Sequence, residues 1–106
     1  MANQTVMCTY RVRPDAYDEF LELVRRHWPT LHDLGGVTDE PAHVYRSLAP
    51  DDPRLIEIFT WVEGGMKAAD HPEVVAIWER MEQLCEARGD LPAMDFPHFE
   101  ELVLHR

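Results

Sequence analysis

The chain has 106 residues, and its 10 basic against 20 acidic side chains give a formal charge of −10 at pH 7. With 45% hydrophobic residues it resembles ordinary globular proteins in composition, so we expect one folded domain. The negative charge argues against nucleic acid or an anionic membrane as partner, because both attract clustered lysine and arginine. No run approaches the roughly 18 apolar residues of a membrane span, and the N-terminus lacks a signal-peptide pattern, so we expect a cytoplasmic protein.

The first part of the chain predicts a strand followed by a helix. Residues 5–12 are β-branched or apolar, which is typical of a strand, and Pro14 suits the first turn of a helix. From Asp15 onwards the apolar positions recur every three to four residues, as in an amphipathic helix. We expect Pro29 to kink or restart this helix and Gly35 with Gly36 to end it. The apolar stripe comprises Ala16, Phe20, Leu23, Val24 and His27 or Leu31.

The remainder predicts two strands, a second helix and a last strand. Residues 42–48 and 54–62 read as strands, and the break between them is too short for a parallel crossover, so they should form an antiparallel hairpin. A short helical turn over 66–70 precedes a helix that begins at Pro72 and ends at Gly89. The last strand falls within 93–104, where Pro97 restricts pairing to an edge or a bulge. The order βαββαβ predicts an α+β, ferredoxin-like fold with both helices on one sheet face.

The third strand is apolar on both of its faces. Leu55, Phe59 and Trp61 point one way, whereas Ile56, Ile58 and Val62 point the other. The two helices can cover only one face, and leaving the other in water would forgo about 1.5–3 kcal/mol per large side chain. We therefore expect a homodimer in which an identical sheet covers the second face.

Two polar side chains are candidate catalytic groups. Glu57 is the lone carboxylate of an apolar strand, so it is either a general base or the partner of Arg11 or Arg46 on a neighbouring strand. His71 precedes Pro72 at a helix entrance, where an imidazole could act as a base near neutral pH or could merely cap the helix. The residues alone leave these alternatives open.

The aromatic residues Tyr10, Phe59, Trp61 and Trp78 could form a flat wall for a polycyclic ligand, or they could simply be core. The six histidines include no pair at the spacing that places two metal ligands on one helix face, so we expect no metal site. Cys8 and Cys85 fit buried, reduced thiols.

Several segments together carry a resemblance to a known family. They are the strand end Val12-Arg13-Pro14-Asp15 with Phe20 in the next helix, the strand end Phe59-Thr60-Trp61, and His71-Pro72 opening a helix with Trp78-Glu79. In these segments the chain resembles the antibiotic biosynthesis monooxygenase family of the dimeric α+β barrel superfamily. The resemblance implies that two sheets pair into a barrel, with a pocket beside the helices or inside the barrel.

Members of that superfamily oxidise aromatic polyketides without a cofactor, degrade haem, or rearrange small rings. The haem-degrading branch carries an Asn, a Trp and a His at positions that here approximate to Cys8, Asp70 and Arg80, so we expect neither haem nor another cofactor. The resemblance implies a cofactor-independent monooxygenase-like protein for a small aromatic or quinone-like substrate. His71 and Glu57 would be catalytic, and the four aromatic residues would bind the ligand. The alternative is a non-catalytic dimeric domain that binds a small hydrophobic molecule.

Overall fold

A computed structural model describes residues 3–105 of the chain. The helices and strands are β1 (Gln4–Tyr10), α1 (Tyr17–Asp33), β2 (His43–Arg46), β3 (Leu55–Trp61), α2 (Pro72–Gln83), β4 (Met94–Asp95) and β5 (His98–Phe99). Short 3-10 helices, Pro14–Ala16 and Gly65–Asp70, precede the two α-helices. The order is the predicted βαββαβ with its last strand in two pieces, which confirms the ferredoxin-like α+β fold.

The sheet is antiparallel, with strands in the order β2-β3-β1-β4, and β5 also pairs with β1. β2 and β3 form the predicted hairpin. Pro97 separates the two short strands, and its carbonyl oxygen accepts a hydrogen bond from the Met7 N–H at 3.0 Å. Because proline has no N–H to donate, it interrupts the edge strand as expected.

The predicted restart of the first helix at Pro29 is wrong, because α1 continues through this residue to Asp33. Its buried stripe includes His27 and Leu31 on either side of the proline, so packing against the sheet holds both turns in register. The helix does end where predicted, since Gly35 adopts φ +74° immediately after its last turn.

The second helix ends at Gln83, earlier than the predicted stop at Gly89. Beyond it the backbone leaves the helix to pair with the chain that follows β1. The Leu84 carbonyl accepts from the Arg13 N–H, and the Glu86 N–H donates to the Arg11 carbonyl, both at 2.9 Å. These bonds to a segment far away in sequence override the local helical pattern.

Burial along β3 alternates strictly, which shows that the two faces of the sheet differ. The face formed by Leu55, Glu57, Phe59 and Trp61 is buried, and the buried stripes of α1 and α2 join it in one core. The helices therefore cover this face. The face with Leu55, Phe59 and Trp61 is therefore not available to pair with a second copy of the chain, which leaves the opposite face of the sheet.

The opposite face of the sheet stays open in the single chain. Ile56 and Ile58 of β3 are half-buried there, and Met7 of β1 lies beside them in register with Ile58. Tyr45 and Phe99, on the flanking strands of this face, are exposed. Within residues 3–105 no helix packs on this surface, which we call the open face.

Gly36 and Gly65 meet where the end of α1 approaches the second 3-10 helix. A Cβ atom at Gly65 would lie 2.1 Å from the Gly36 carbonyl oxygen, whereas at Gly64, with φ +73°, it would meet open space. Gly65→Ala should therefore lower the free energy of unfolding by about 3 kcal/mol or more through a backbone clash. Gly64→Ala should cost about 1–2 kcal/mol, because only the left-handed conformation is strained.

Urea denaturation of both variants measures the difference, provided that the slope of the transition stays constant. Equal losses in the two variants would contradict the close approach of the two backbones.

Candidate functional site

Glu57 lies in the middle of β3 on the helix-covered face and has no exposed surface. One of its carboxylate oxygens, Oε1, accepts two hydrogen bonds. The Tyr10 hydroxyl of β1 donates to it at 2.7 Å, and Nδ1 of His27 on α1 lies 2.8 Å from it. Both partners are themselves fully buried. Three elements thus converge on a single carboxylate in the core.

The predicted arginine partners of Glu57 are wrong. Arg11 projects to the other side of the sheet from Tyr10, and its guanidinium donates to the Pro92 carbonyl at 2.7 Å. Arg46 is exposed, and it pairs in register with Leu55 rather than with Glu57. Among residues 3–105, the only basic side chain within ion-pair distance of Glu57 is His27.

The hydrogen bond between Trp78 and His27 fixes the tautomer of the imidazole. Trp78 Nε1 lies 2.5 Å from His27 Nε2, and an indole N–H can only donate, so Nε2 must be the acceptor. The ring proton of His27 is then on Nδ1, from which it is donated to Glu57 Oε1. The result is a directed chain of hydrogen bonds from the indole through the imidazole to the carboxylate.

The second carboxylate oxygen of Glu57, Oε2, is buried and has no hydrogen-bond partner. An unsatisfied buried acceptor costs about 1–3 kcal/mol, and more when it is charged. Glu57 borders a cavity of about 330 Å³ between α1 and the β2 edge. The other residues around this cavity are Leu21, Val24, Arg25, Trp28, Pro29, Pro41, Ala42 and Val44.

The cavity exists because α1 does not fully cover the edge strand. Val44 is on the same sheet face as Glu57, opposite it in register, yet remains 43% exposed. Trp28 forms part of the wall, and its Nε1 is buried without a partner. Arg25 lies at the outer end, where it pairs with Glu22. The site therefore combines apolar walls with one unpaired acceptor and one unpaired donor.

The four aromatic residues predicted to bind a ligand lie around the His27–Glu57 pair. Trp61 contacts Phe59 with ring centroids 5.3 Å apart, and Phe59 contacts His27 at 5.5 Å. His27 contacts Trp78 at 5.8 Å, and Tyr10 is hydrogen-bonded to the carboxylate. None of the four borders the 330 Å³ cavity. They pack as core, and their role in ligand binding stays a prediction.

The structure does not bring His71 together with Glu57. His71 is exposed and caps α2, where its Nδ1 accepts a hydrogen bond from the Glu73 N–H at 3.2 Å. It borders a separate cleft of about 480 Å³, formed largely by the glycine turns after α1 and after β3. The geometry matches the capping alternative, and a catalytic role for His71 stays a prediction.

The sequence interpretation missed His27 and Trp28. The helical pattern predicts His27 on the apolar stripe of the first helix, but it does not indicate a contact with Glu57 of the third strand. A histidine on a buried helix face and a glutamate on a buried strand face each need a partner. The sequence therefore indicates that each of these two residues has a polar partner in the core, although it does not show that the helix face and the strand face meet.

Residues 3–105 contain no group of three or more His, Cys, Asp or Glu side chains that could hold a metal ion. No helix in this range is long and apolar enough to cross a membrane.

Solved structures with the same fold include several named monooxygenases. SnoaB from Streptomyces nogalater, described as a cofactor-independent oxygenase, is 15% identical with a TM-score of 0.75, and the match covers 100% of both chains. A candidate antibiotic biosynthesis monooxygenase from Nitrosomonas europaea is 11% identical with a TM-score of 0.73, over 96% of this chain and 92% of that one. Another antibiotic biosynthesis monooxygenase is 9% identical with a TM-score of 0.71, over 94% and 99%.

These matches confirm the resemblance expected from the sequence, and at such identities the likeness is one of fold. No family model and no curated protein sequence matches the chain.

Buried acidic groups predict that the protein loses stability at alkaline pH. Burial raises the pKa of Cys85 from 9.0 to about 12. Burial and the nearby Glu57 carboxylate also raise the pKa values of Cys8 and Tyr10 well above their usual range. Because the folded-state pKa values are raised, the stabilisation is complete below pH 9 and is lost as the pH rises through the folded-state values.

We therefore expect the free energy of unfolding to fall between pH 9 and about 12, the window set by Cys85. Cys85→Ala should reduce this slope, and urea denaturation at a series of pH values measures it. Cys8 and Tyr10, whose pKa values are also raised by burial, add to the same fall, so the variant loses only the part that Cys85 contributes. An unchanged slope in the variant would contradict the raised thiol pKa.

Proposed function

We propose that the chain is a cofactor-independent oxygenase that oxidises a small aromatic or quinone-like substrate, with Glu57 as its general base. The observation that carries this proposal is that Glu57, whose Oε2 has no partner in the protein, lines an apolar cavity of about 330 Å³. A base must lie within hydrogen-bond reach of the proton that it removes, and Oε2 has no competing partner in the protein. The fold shared with a cofactor-independent oxygenase supports the same reaction class.

The proposed reaction converts a ring CH₂ group beside a carbonyl into a second carbonyl. Glu57 removes one proton, and the carbanion transfers one electron to O₂, which gives a carbon radical and superoxide. The two combine through a new C–O bond into a peroxide anion, which takes the proton back from Glu57 to become a hydroperoxide. The hydroperoxide then loses water, whose second hydrogen comes from the remaining ring C–H. The balance is CH₂ + O₂ → C=O + H₂O, so the substrate supplies all the electrons.

Trp28 and the apolar walls would orient the substrate in this scheme. The unpaired indole N–H can donate to a substrate carbonyl oxygen, while Leu21 and Val24 contact its flat hydrocarbon surface. A donor directed at that oxygen would also stabilise the negative charge that develops when the adjacent carbon loses its proton.

Glu57→Gln tests the base directly. The amide oxygen of glutamine can still accept from Tyr10 and His27, so the fold should persist, but glutamine cannot remove a proton. We expect oxygen uptake with dithranol, a dihydroxylated anthrone, to fall by about 10²–10⁴-fold, while dithranol binding changes little. A thermal-shift panel of hydroxylated anthracenes and quinones, with haem as contrast, identifies further ligands.

Full oxygen uptake by Glu57→Gln would remove Glu57 from the mechanism. If His71→Ala abolished turnover instead, the base would be the exposed histidine predicted from the sequence. Spontaneous oxidation of dithranol without protein gives the background rate for both variants.

The second candidate is a non-catalytic domain that binds a small hydrophobic ligand. The observation in its favour is that Glu57 has no exposed surface, so its free oxygen reaches a ligand only when the cavity opens further. This function predicts ligands that raise the melting temperature without any oxygen uptake.

We also propose that two copies pair through the open face of the sheet. Ile56, Ile58 and Tyr45 form an apolar surface there that no described helix covers. A contiguous apolar patch of this kind is seldom left exposed on a monomer, and an identical sheet matches it by twofold symmetry.

Sedimentation at micromolar concentration should therefore report about twice 12.4 kDa. Ile58→Asp should give the monomer mass, because it buries a charge at the centre of the contact. Leu48→Asp is the matched control, since Leu48 is 91% exposed in the loop after β2 and should leave the dimer intact. A wild-type monomer, or equal dissociation of both variants, would contradict pairing through this face.

A further inference from the structure

We propose that Trp78 is a positioning residue for Glu57 and that it acts through His27. Trp78 belongs to α2, His27 to α1 and Glu57 to β3, so the chain of hydrogen bonds crosses the whole core. Trp78 does not border the 330 Å³ cavity and so does not contact a ligand held there. The claim that this arrangement serves catalysis rests on the proposed function, whereas the claim about the tautomer does not.

The indole N–H excludes the wrong form of His27. With Trp78 at 2.5 Å from Nε2, only the tautomer with its proton on Nδ1 satisfies both neighbours. Without the indole donor, Nε2 would be a buried acceptor with no partner. The proton would stay on Nδ1, because a lone pair there would face the negative Glu57 carboxylate, but the ring would lose the donor that fixes its orientation and could turn Nε2 towards another donor.

The fixed tautomer determines which oxygen of Glu57 is available. Tyr10 and His27 both donate to Oε1, so this oxygen is occupied by the core. Oε2 is the oxygen that remains without a partner, on a side chain that lines the cavity. If His27 no longer donated, the carboxylate would lose one of its two restraints and could rotate away from the substrate.

The same geometry prevents His27 from passing a proton onwards. Its Nε2 is occupied by the Trp78 donor, and its Nδ1 already carries the proton that Glu57 accepts. A proton that Glu57 removes from a substrate therefore stays on the Glu57 carboxyl. It then passes to the peroxide anion, which becomes the hydroperoxide that loses water.

Nitrogen NMR of the ¹⁵N-labelled protein tests the tautomer without any ligand. We expect the His27 ring to show a protonated Nδ1 and an unprotonated Nε2, with a scalar coupling across the hydrogen bond between Nε2 and Trp78 Nε1. Trp78→Phe should abolish this coupling and shift the His27 ring signals, because the ring is then held by Glu57 alone. Trp28→Phe is the matched control, because the Trp28 N–H has no partner and its loss should leave the His27 signals unchanged.

His27 ring signals that stay unchanged in folded Trp78→Phe would overturn the proposal, since Glu57 alone would then hold the ring. If Trp78→Phe does not fold, the wild-type protein decides: a protonated Nε2 without coupling to Trp78 overturns the proposal, and the coupling supports it.

The catalytic part is measured by oxygen uptake with dithranol. Trp78→Phe should lower kcat by about 10²-fold, as for a misplaced catalytic group, with little change in KM because Trp78 does not border the cavity. An unchanged kcat in a variant with shifted His27 ring signals would overturn the positioning role. If the wild-type protein does not oxidise dithranol, the proposed function fails on this substrate, and the NMR result still stands by itself.

Discussion

The burial of one carboxylate constrains the rest of this structure. Taking Glu57 out of water costs several kcal/mol unless hydrogen bonds replace its hydration. The replacements come from Tyr10 on the neighbouring strand and His27 on the first helix. A shift of β1 by one residue would turn Tyr10 to the open face, and a rotation of α1 would remove His27. The burial of Glu57 therefore constrains the register of β1 against β3 as well as the orientation of α1 on the sheet.

The aromatic rings extend this constraint from the sheet to both helices. Trp78 ties α2 to His27, and it also stacks on Phe96 with ring centroids 5.7 Å apart. Phe59 packs edge-on against His27 from the sheet side. The imidazole is thus held by hydrogen bonds at both nitrogens and by rings around it. Such a group has few ways to reorient, which is the condition for a single, preorganised tautomer.

The sequence allowed the element order and the antiparallel hairpin to be predicted because these depend on local patterns of apolar residues and turns. The end of α2 could not be predicted, since it depends on backbone bonds between Glu86 and Arg11, which are remote in sequence. Glu57 was recognisable as a polar residue in an apolar strand, but its partners depend on which helix faces meet the sheet. His71 was predicted from its position at a helix entrance. That position does not show which residues lie nearby in the fold, so it could not show that His71 is far from Glu57.

In the proposed function, the unequal hydrogen bonding of its two oxygens distinguishes Glu57 from a purely structural carboxylate. A carboxylate that served only to hold elements together would gain most from partners on both oxygens, because each unpaired acceptor in the core costs stability. Here Oε1 accepts twice and Oε2 not at all, and the Glu57 side chain lines the apolar cavity. A ligand that donates a hydrogen bond or a proton to Oε2 removes that cost on binding. The free energy that the unpaired oxygen costs the empty protein therefore adds to the affinity for a ligand that donates a proton. A general base requires such an affinity.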